Sequence, residues 1–240
     1  MIIAALLAAA TISSTDAIAI LLNSPAASSR SRYAAAMEVV RKEAEEGKPL
    51  QQFVFGITTE DKDLAKRYIE ASSAQITALA EQTDNSLAWY LLSVEKNDLK
   101  LLKKAAAGGN VQALNALGTL AAQEALNNQK SLSTNAVEKI LAKSFGYFRQ
   151  AAMQRDPNAF INLGACYLRG LGCKVDMSMA VECFRSAARG GHPEGMDNLS
   201  ACYDLGHGVK RDPRLSLYWR MKARSLRGDE AAAEWLKEWK

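Results

Sequence analysis

Four cysteines and two histidines are the side chains of this sequence that most readily act as nucleophiles or metal ligands. The cysteines lie between Cys166 and Cys202, and the histidines are His192 and His207. No Cys-x-x-Cys pair is present, and neither histidine stands at zinc-finger spacing from a cysteine. The sequence also lacks the short motifs of serine hydrolases, zinc proteases and nucleotide-binding loops. We therefore predict no catalytic residue, no metal site and no cofactor.

The cysteines admit three interpretations. Each occupies a position where the helical pattern described below suits a small apolar side chain, so the main expectation is buried thiols that act as small hydrophobic groups. Disulfide pairing is the alternative if the chain is exported. A catalytic thiol is disfavoured because no neighbouring general base is evident. The four residues are Cys166, Cys173, Cys183 and Cys202.

The two histidines are expected to lie in loops. His192 stands in a turn between two helical segments, and His207 stands between two glycines. Glycines and turns are typical of connecting segments at the surface. We therefore predict that both imidazoles are solvated and play no role in binding or catalysis.

The amino-acid composition indicates a helical protein. The 240 residues include 41 alanines but only 17 aromatic residues (4 Trp, 7 Tyr and 6 Phe). Small, straight side chains favour helices and allow them to pack closely, whereas sheets are richer in β-branched and aromatic residues. The net charge of +4 is too small for a dedicated nucleic-acid-binding protein. These figures predict a closely packed all-α fold and argue against nucleic acid as a partner.

The sequence repeats itself with a period of 36 residues. The segment Asn162–Tyr167 aligns with Asn198–Tyr203, and 11 of the 36 positions that start at Asn162 are identical to those that start at Asn198. The pairs Ala151-Ala152 and Ala187-Ala188 are also 36 residues apart. Upstream, similar residues recur at an offset of 46, which indicates a ten-residue insertion near 123–135. Because insertions within repeats usually fall in loops, we expect a loop there.

Each repeat unit has the signals of two helices. A first helix is predicted from about Asn158 to Arg169, ended by Gly170 and Gly172, because glycine adopts the positive φ of a helix C-cap without strain. Asp176 then stands where an N-cap is expected, before a second helix with apolar residues at a spacing of three and four. Gly164 on the first helix is expected to allow a neighbouring backbone to approach closely.

The repeat pattern resembles the Sel1-like repeat family, whose members are related to tetratricopeptide repeats. The residues that carry the resemblance are Leu163-Gly164, Tyr167, Gly170, Gly172, Asp176 and Ala187-Ala188, with their counterparts one period later. Three positions depart from the pattern, namely Ser200, Cys183 and Arg224. The resemblance implies a right-handed superhelical α-solenoid of antiparallel helix pairs. It also implies a role in protein–protein interaction without enzymatic activity.

The resemblance divides the chain into four parts. Residues 98–228 are the Sel1-like repeats, about four units, and residues 30–97 are a degenerate helical repeat region. Residues 229–240 are predicted to form a capping helix, in which Trp235 takes the place of Leu199 one period earlier. The last part, residues 1–29, is a signal peptide or an apolar N-terminal helix.

The segment 1–29 is apolar at its start, contains no basic residue before Arg30, and has small residues at 25–27. Such a segment is typical of a secretory signal peptide, although the basic n-region is missing. A helix packed on the domain and a short membrane anchor are the alternatives. Asp16 interrupts the run, so a stable transmembrane span is not expected. We expect an exported, periplasmic or secreted protein.

Two surfaces are candidates for binding a protein or peptide partner. Helical geometry places one stripe of residues on the outward face of successive first helices, where solenoids form a concave groove. The second surface is the basic C-terminal repeat, which carries the chain's excess positive charge (15 basic and 11 acidic residues over 144–240). For both surfaces, ordinary solvent-exposed residues are the competing interpretation. The candidate residues are Asn158, Asn162, Arg169, Glu194, Asn198, Arg214 and Arg220.

These observations together predict a non-catalytic interaction scaffold or adaptor. Its partner is a protein or peptide, held mainly by first-helix side chains. The alternatives are an enzyme of the cell envelope and a polyanion-binding module, whose affinity would fall steeply with ionic strength. The sequence does not determine the oligomeric state.

Overall fold

The computed structural model describes residues 13–22 and 30–239, which form thirteen α-helices and no strand. The helices are α1 (Ser14–Leu22), α2 (Arg30–Glu45), α3 (Pro49–Thr58), α4 (Lys62–Thr83), α5 (Ser86–Lys96), α6 (Leu99–Ala107), α7 (Val111–Asn127), α8 (Thr134–Met153), α9 (Pro157–Arg169), α10 (Met177–Arg189), α11 (Pro193–Leu205), α12 (Pro213–Leu226) and α13 (Glu230–Glu238). The prediction of an all-α fold is confirmed.

The helices belong to two compact units, which divide between Ala113 and Leu114. In the first unit, each helix from α1 to α6 contacts the next one, and α1 also contacts α3, as α3 contacts α5. In the second unit, each helix from α8 to α13 contacts the next one, and α9 also contacts α11. Within each unit the first helices of successive pairs therefore lie against each other, as in stacked helical repeats.

More helix pairs are present than the sequence pattern indicates. We expected about four repeat units, whereas α1 to α12 form six consecutive pairs, followed by the unpaired α13. The two additional pairs lie where the motif residues are missing and only the apolar spacing remains. The boundary between residues 97 and 98, where similarity to the repeat begins, stays a prediction from the sequence.

The helix termini in the repeats follow the predicted chemistry. Gly170 and Gly206 end α9 and α11 with φ values of 72° and 74°, in the left-handed region. Asp176 accepts a hydrogen bond from the backbone N–H of Met179 at 2.9 Å, and Asp212 accepts from Arg214 and Leu215 at 3.0 Å. Both aspartates have the same backbone conformation, φ −145° and ψ 93°. The predicted glycine C-caps and aspartate N-caps are confirmed.

The first-helix glycines lie against an aromatic ring. A Cβ atom on Gly164 would lie 2.6 Å from Cε1 of Phe184, and one on Gly118 would lie 2.5 Å from Cε1 of Phe148. The expectation that Gly164 admits a neighbouring backbone was wrong, because the ring of the second helix fills that space. Close backbone approach occurs instead at the loop glycine Gly172, where a Cβ would lie 2.2 Å from the carbonyl oxygen of Leu141.

The departure at Ser200 has a compensating contact. Ser200 takes the place of Gly164 one period later, and its hydroxyl donates to the carbonyl oxygen of Ser216 at 2.8 Å. The counterpart of Phe184 in this repeat is Arg220, which is exposed. In this helix pair a hydrogen bond joins the two helices, whereas in the two preceding pairs a phenylalanine ring packs against the glycine.

The ten-residue insertion lengthens helices rather than a loop. Helix α7 continues to Asn127 and α8 begins at Thr134, which leaves only residues 128–133 between them. The turns between α9 and α10 and between α11 and α12 are seven residues long, at 170–176 and 206–212. A loop does lie at 128–133, inside the expected range 123–135, but most of the added residues extend the two helices, whose turns satisfy their own backbone hydrogen bonds.

The recurring alanines are packing positions. Ala105, Ala151 and Ala187, each in the last turns of a second helix, are fully buried. A Cβ on Gly195 of α11 would lie only 2.6 Å from Cβ of Ala187, so this junction has no room for larger groups. The alanine content therefore reflects the close approach of each second helix to the next first helix.

Part of the apolar N-terminal segment packs as a helix. Helix α1 contacts α2 and α3, and Ala17, Ile18, Ile20 and Leu21 are buried. The initial apolar run 1–10 and the small-residue site at 25–27 lie outside the described residues. Among the described residues no helix is both long and apolar enough to cross a membrane.

The C-terminal helix α13 packs on α12 and carries an aromatic stack. Trp235 lies 4.8 Å from Trp239 between ring centroids, and Trp239 lies 5.4 Å from Tyr218 of α12. Trp235 is half-buried, whereas its counterpart Leu199 is fully buried. The indole therefore takes the Leu199 position only in part, and its remaining surface contributes to the stack at the end of the chain.

Candidate functional site

The first-helix face of the second unit is formed by α9 and α11, which lie against each other. Asn162 and Asn198 stand at equivalent positions on these helices and are half-buried. Among the described residues neither amide side chain has a hydrogen-bond partner. Arg169 and Glu194 on the same helices are exposed. The face thus presents amide donors and acceptors that a peptide backbone can use, with one charge of each sign nearby.

An apolar residue continues this face. Leu205 occupies the position of Arg169 one period later, and 63% of its surface is exposed. Ala165 and Ala201, which stand between the asparagines and these longer side chains in the sequence, are half-buried and exposed, respectively. The arrangement suits an extended segment that carries both polar and apolar side chains.

Asn158 differs from the other candidate asparagines because its amide oxygen is already used. Its Oδ1 accepts a hydrogen bond from Nε2 of His192 at 2.9 Å. His192 is only 2% exposed, so the prediction of a solvated loop histidine was wrong. The residue is the N-cap of α11, and the packing of α9 against α11 encloses it. The contact joins two successive first helices through a pair of polar side chains.

Burial also changes the titration of this histidine. Its Nδ1 atom is buried without a hydrogen-bond partner. Desolvation, with a smaller contribution from the positive charge of Arg227, lowers the pKa of His192 to about 4. The imidazole is therefore neutral at physiological pH and donates through Nε2. His192 is a structural element of the α9–α11 junction.

A similar junction occurs one repeat earlier. Asp156, the N-cap of α9, is 7% exposed and accepts a hydrogen bond from Nδ2 of Asn115 at 2.7 Å. Burial raises the pKa of Asp156. Asp156 and His192 are 36 residues apart, so successive repeats place a buried polar residue at the same inter-repeat position. Sequence analysis missed this pattern because the two residue types differ.

Most cations of the basic C-terminal repeat are engaged within the chain. Arg224 pairs with Asp229 at 2.6 Å and Arg227 pairs with Asp197 at 2.5 Å. The Nε atom of Arg211 donates to the carbonyl oxygen of Asp204 at 2.8 Å. These contacts reduce the positive charge available to a polyanion and favour the interpretation of this surface as a solvated helix face.

The remaining basic residues of α12 include two cations above aromatic rings. The guanidinium carbon of Arg214 lies 4.9 Å from the ring centroid of Trp239, and Nζ of Lys222 lies 5.2 Å from that of Trp219. Arg220 is exposed and has no ion pair within the described part of the chain. Arg214 and Arg220 lie on a second helix, so they are not part of the first-helix face that carries Asn162 and Asn198.

Three of the four cysteines are buried, as the sequence predicts. Cys166, Cys183 and Cys202 are 3%, 5% and 2% exposed, whereas Cys173 is half-buried in the α9–α10 turn. All four thiols are free. Desolvation raises the pKa of Cys166 to about 12 and that of Cys183 to about 11. Such thiols remain protonated at neutral pH and, being buried, react slowly with external reagents.

A cleft in the first unit was not predicted. It has a volume of about 870 Å³ and lies among α2, α3 and α4. Its lining combines apolar side chains such as Met37, Phe55 and Leu64 with the charged residues Arg41 and Arg67. These side chains come from three separate helices in the region without repeat motifs, so no sequence pattern predicts the cleft. Within the described residues no cluster of metal-ligating side chains is present.

Comparison with known proteins identifies the repeat. The family model described as "Sel1 repeat" matches residues 99–110, 137–156, 158–192 and 193–219. These four segments contain the helix pairs, glycine C-caps and alanine contacts described above. No curated protein shows significant similarity to the chain.

Two solved structures are similar to the chain. One is a Sel1 repeat protein from Oxalobacter formigenes, with 27% identity, 53% coverage of this chain, 90% coverage of that protein and a TM-score of 0.44. The other is a protective antigen of uropathogenic Escherichia coli that displays an SLR fold, with 20% identity and a TM-score of 0.40. That alignment covers 83% of this chain but only 52% of the antigen, so the chain spans about half of its length.

The geometry of the repeats and the matched segments agree on the same residues. The glycines that end α9 and α11, the aspartates before α10 and α12 and the paired alanines of α8 and α10 all fall within 137–219, where the family model matches. The chain therefore contains Sel1 repeats.

Proposed function

We propose that the protein is a non-catalytic scaffold that binds a peptide or protein on the first-helix face of α9 and α11. Sel1 repeats typically mediate protein interactions, which supports the general role. The observation that carries the choice of face is the pair of half-buried asparagines, Asn162 and Asn198, whose amides lack hydrogen-bond partners within the described residues. Polar groups that are partly desolvated in the free protein gain most when a ligand supplies their hydrogen bonds.

The proposed ligand is an extended peptide segment. The two asparagines are one repeat apart on adjacent first helices, so a backbone that crosses both helices can contact each amide in turn. Arg169 and Glu194 supply opposite charges beside the amides, and Leu205 supplies an apolar contact. Asn158 contributes through its amide nitrogen, since His192 already occupies its oxygen.

The basic residues Arg214 and Arg220 form a second, separate contact region in this proposal. They lie on α12, where Arg220 is exposed. A partner that reaches α12 from the first-helix face would need acidic groups at that end. Because rim charges mainly affect association rates, their removal is expected to change the salt dependence of binding more than the affinity at physiological salt.

The proposal is tested by replacing both asparagines with alanine. A partner is first recovered with the full chain, and its dissociation constant is then measured for the Asn162→Ala/Asn198→Ala variant. The loss of two hydrogen bonds, each worth about 0.5–1.5 kcal/mol, predicts a weakening of roughly 5- to 150-fold. Because the amides make no internal hydrogen bond, thermal stability should remain at the wild-type value.

A matched control removes an exposed amide from a second helix. Gln150 lies exposed on α8, so the Gln150→Ala variant should bind the partner as the wild type does. Equal affinity of the double variant and the wild type would show that the partner does not use this face.

Export of the chain is a further proposal, supported by the apolar sequence before Arg30. Mass spectrometry of the N-terminus in the native host tests it. A chain that begins near residue 28 would support cleavage by a signal peptidase, whereas an intact Met1 would contradict cleavage.

A further inference from the structure

Three thiols meet at the turn between α9 and α10. Cys166 is buried in the last turns of α9, and Cys183 is buried in the middle of α10. Cys173 is half-buried in the turn that connects the two helices. The Sγ atom of Cys173 lies 3.5 Å from the carbonyl oxygen of Cys166 and donates its proton to it. Burial raises the pKa of Cys166, and the neighbouring thiols Cys173 and Cys183 raise it further.

The next repeat reproduces this turn without the second thiol. The N–H of Leu171 donates to Cys166 O at 3.0 Å, and that of His207 donates to Cys202 O at 3.1 Å. The N–H of Asp176 donates to Tyr167 O at 2.9 Å, and that of Asp212 donates to Tyr203 O at 2.8 Å. Cys202 corresponds to Cys166, but Val209 stands at the position of Cys173. The protein thus contains its own matched control.

We propose that Cys166 and Cys173 are an oxidation site, at which a reversible disulfide ties the α9–α10 turn to the last turn of α9. The oxidant is a small disulfide of the glutathione class. The Cys173 thiolate attacks one sulfur of the oxidant, and the first small thiol leaves. The Cys166 sulfur then attacks Cys173 in the mixed disulfide, and the second small thiol leaves with the remaining proton. Two protein thiols are oxidised and one small disulfide is reduced to two thiols.

The geometry allows this bond with a small displacement. Standard bond lengths and the contact between Cys173 Sγ and Cys166 O place the two Cα atoms within roughly 9 Å of each other. A disulfide needs a Cα separation of up to about 6.8 Å and Cβ atoms that face each other, so the Cα separation has to shorten by about 2 Å at most. Gly170 and Gly172 flank the region, and both have positive φ values.

Accessibility selects the order of the two steps. Cys173 is the only member of the cluster with appreciable exposure, so the external oxidant meets it first. Cys166 lies directly behind it and is closed to solvent. Burial, and for Cys173 also the nearby Asp176, raises the pKa of these thiols. The reduced form is consequently stable at neutral pH until an oxidant is supplied.

Tryptic digestion separates the three thiols and gives a direct test. Cleavage after Arg155, Arg169, Lys174 and Arg185 places Cys166 in 156–169, Cys173 in 170–174 and Cys183 in 175–185. The full chain is incubated with oxidised glutathione, free thiols are alkylated, and the digest is analysed by mass spectrometry. We expect a disulfide-linked pair of 156–169 with 170–174, which disappears on reduction, and full alkylation of 175–185. A cross-link from Cys166 to Cys183, or full alkylation of both linked peptides, would overturn the proposal.

Two variants exchange the residues at the equivalent turn positions 173 and 209 of the two repeats. Cys173→Val should abolish the cross-link and leave Cys202 unchanged. Val209→Cys should create a new disulfide with Cys202, detected as a 190–210 peptide that lacks alkylation after oxidation. Because both substitutions reproduce a side chain that the other repeat already holds, both variants should fold as the wild type does. If Val209→Cys leaves two alkylated thiols, the turn geometry does not support the bond and the proposal is wrong.

Discussion

The contact between Gly164 and the ring of Phe184 predicts that Gly164→Ala destabilises the protein. In an exposed helix interior, replacing glycine by alanine stabilises the fold by about 0.5–1 kcal/mol. Here the added Cβ would lie 2.6, 2.9 and 3.0 Å from three ring carbons of Phe184, which is 2% exposed. Phe184 belongs to a buried cluster with Val181 and Leu199, so a shift of its ring would displace these neighbours.

The expected magnitude follows from these opposing terms. Overpacking a closed core by one methyl group costs about 1–3 kcal/mol, which exceeds the propensity gain. We therefore expect a net destabilisation of about 0.5–2 kcal/mol. For a chain of this length each kcal/mol corresponds to about 2–4 °C in the midpoint of thermal unfolding.

Gly146→Ala is the matched control. Gly146 also lies in a helix, α8, but a Cβ atom there would have no neighbour within 4 Å. This variant should be as stable as the wild type or more stable by up to about 1 kcal/mol. Circular dichroism during urea or thermal unfolding measures both variants under the same conditions.

A second substitution separates the ring contact from other effects. In the Phe184→Leu background, the aromatic carbons that meet the new methyl group are absent, so Gly164→Ala should cost less than in the wild type. The double-mutant cycle should give a coupling energy of about 0.5–2 kcal/mol. If Gly164→Ala stabilises the protein as much as Gly146→Ala does, the contact does not exist as described.

Three further predictions follow from individual residues. Gly172→Ala should lower the free energy of unfolding by about 2–4 kcal/mol, because φ is 72° and the added Cβ would lie 2.2 Å from Leu141 O. Gly191→Ala is the control in urea unfolding: its φ is 80° but the space around it is open, so the loss should be only about 1 kcal/mol. The pKa of His192 falls to about 4 on folding, so the unfolded chain binds more protons than the folded one between pH 6.5 and 4. The free energy of unfolding should therefore decrease as the pH falls through that window. His192→Asn should remove this part of the pH dependence. Deletion of residues 1–22 removes the buried side chains of α1 and should lower the unfolding midpoint of the first unit, and an unchanged midpoint would show that α1 contributes no packing.

Sequence periodicity is most reliable where the backbone conformation requires a particular residue. Gly170 and Gly206 adopt positive φ, and Asp176 and Asp212 bind the first N–H groups of the following helix. Few residue types meet these requirements, so the sequence shows them clearly. The helix bounds of α9 to α12 could therefore be predicted to within a residue or two.

Burial that depends on a neighbouring repeat is harder to predict. His192 stands between Gly191 and Pro193, a sequence typical of a solvated turn. Its 2% exposure results from the packing of α9 over the start of α11, which is a tertiary contact. The same limit applies to Gly164, since its identity indicates a close contact but does not tell whether a backbone or a ring makes it.

The insertion and the N-terminal pairs show a second limit. Residues near 123–135 have no glycine C-cap or proline to end a helix, and α7 and α8 simply continue into them. The helices before residue 97 pair without the motif residues of the repeat, because apolar spacing alone is enough to bury a helix face. The stripe of Asn162 and Asn198 could be placed on one face from spacing, whereas the engagement of Asn158 by His192 could not.

Site-specific photo-cross-linking tests the proposed binding face most directly. A photoreactive amino acid is placed in the full chain at position 162 or 198 on the first helices, and at the exposed positions 178 or 182 on α10 as controls. If the partner binds on the first-helix face, illumination should give covalent adducts from positions 162 and 198 and none from 178 and 182. Adducts that form only from the α10 positions would contradict the central claim that the first helices hold the partner.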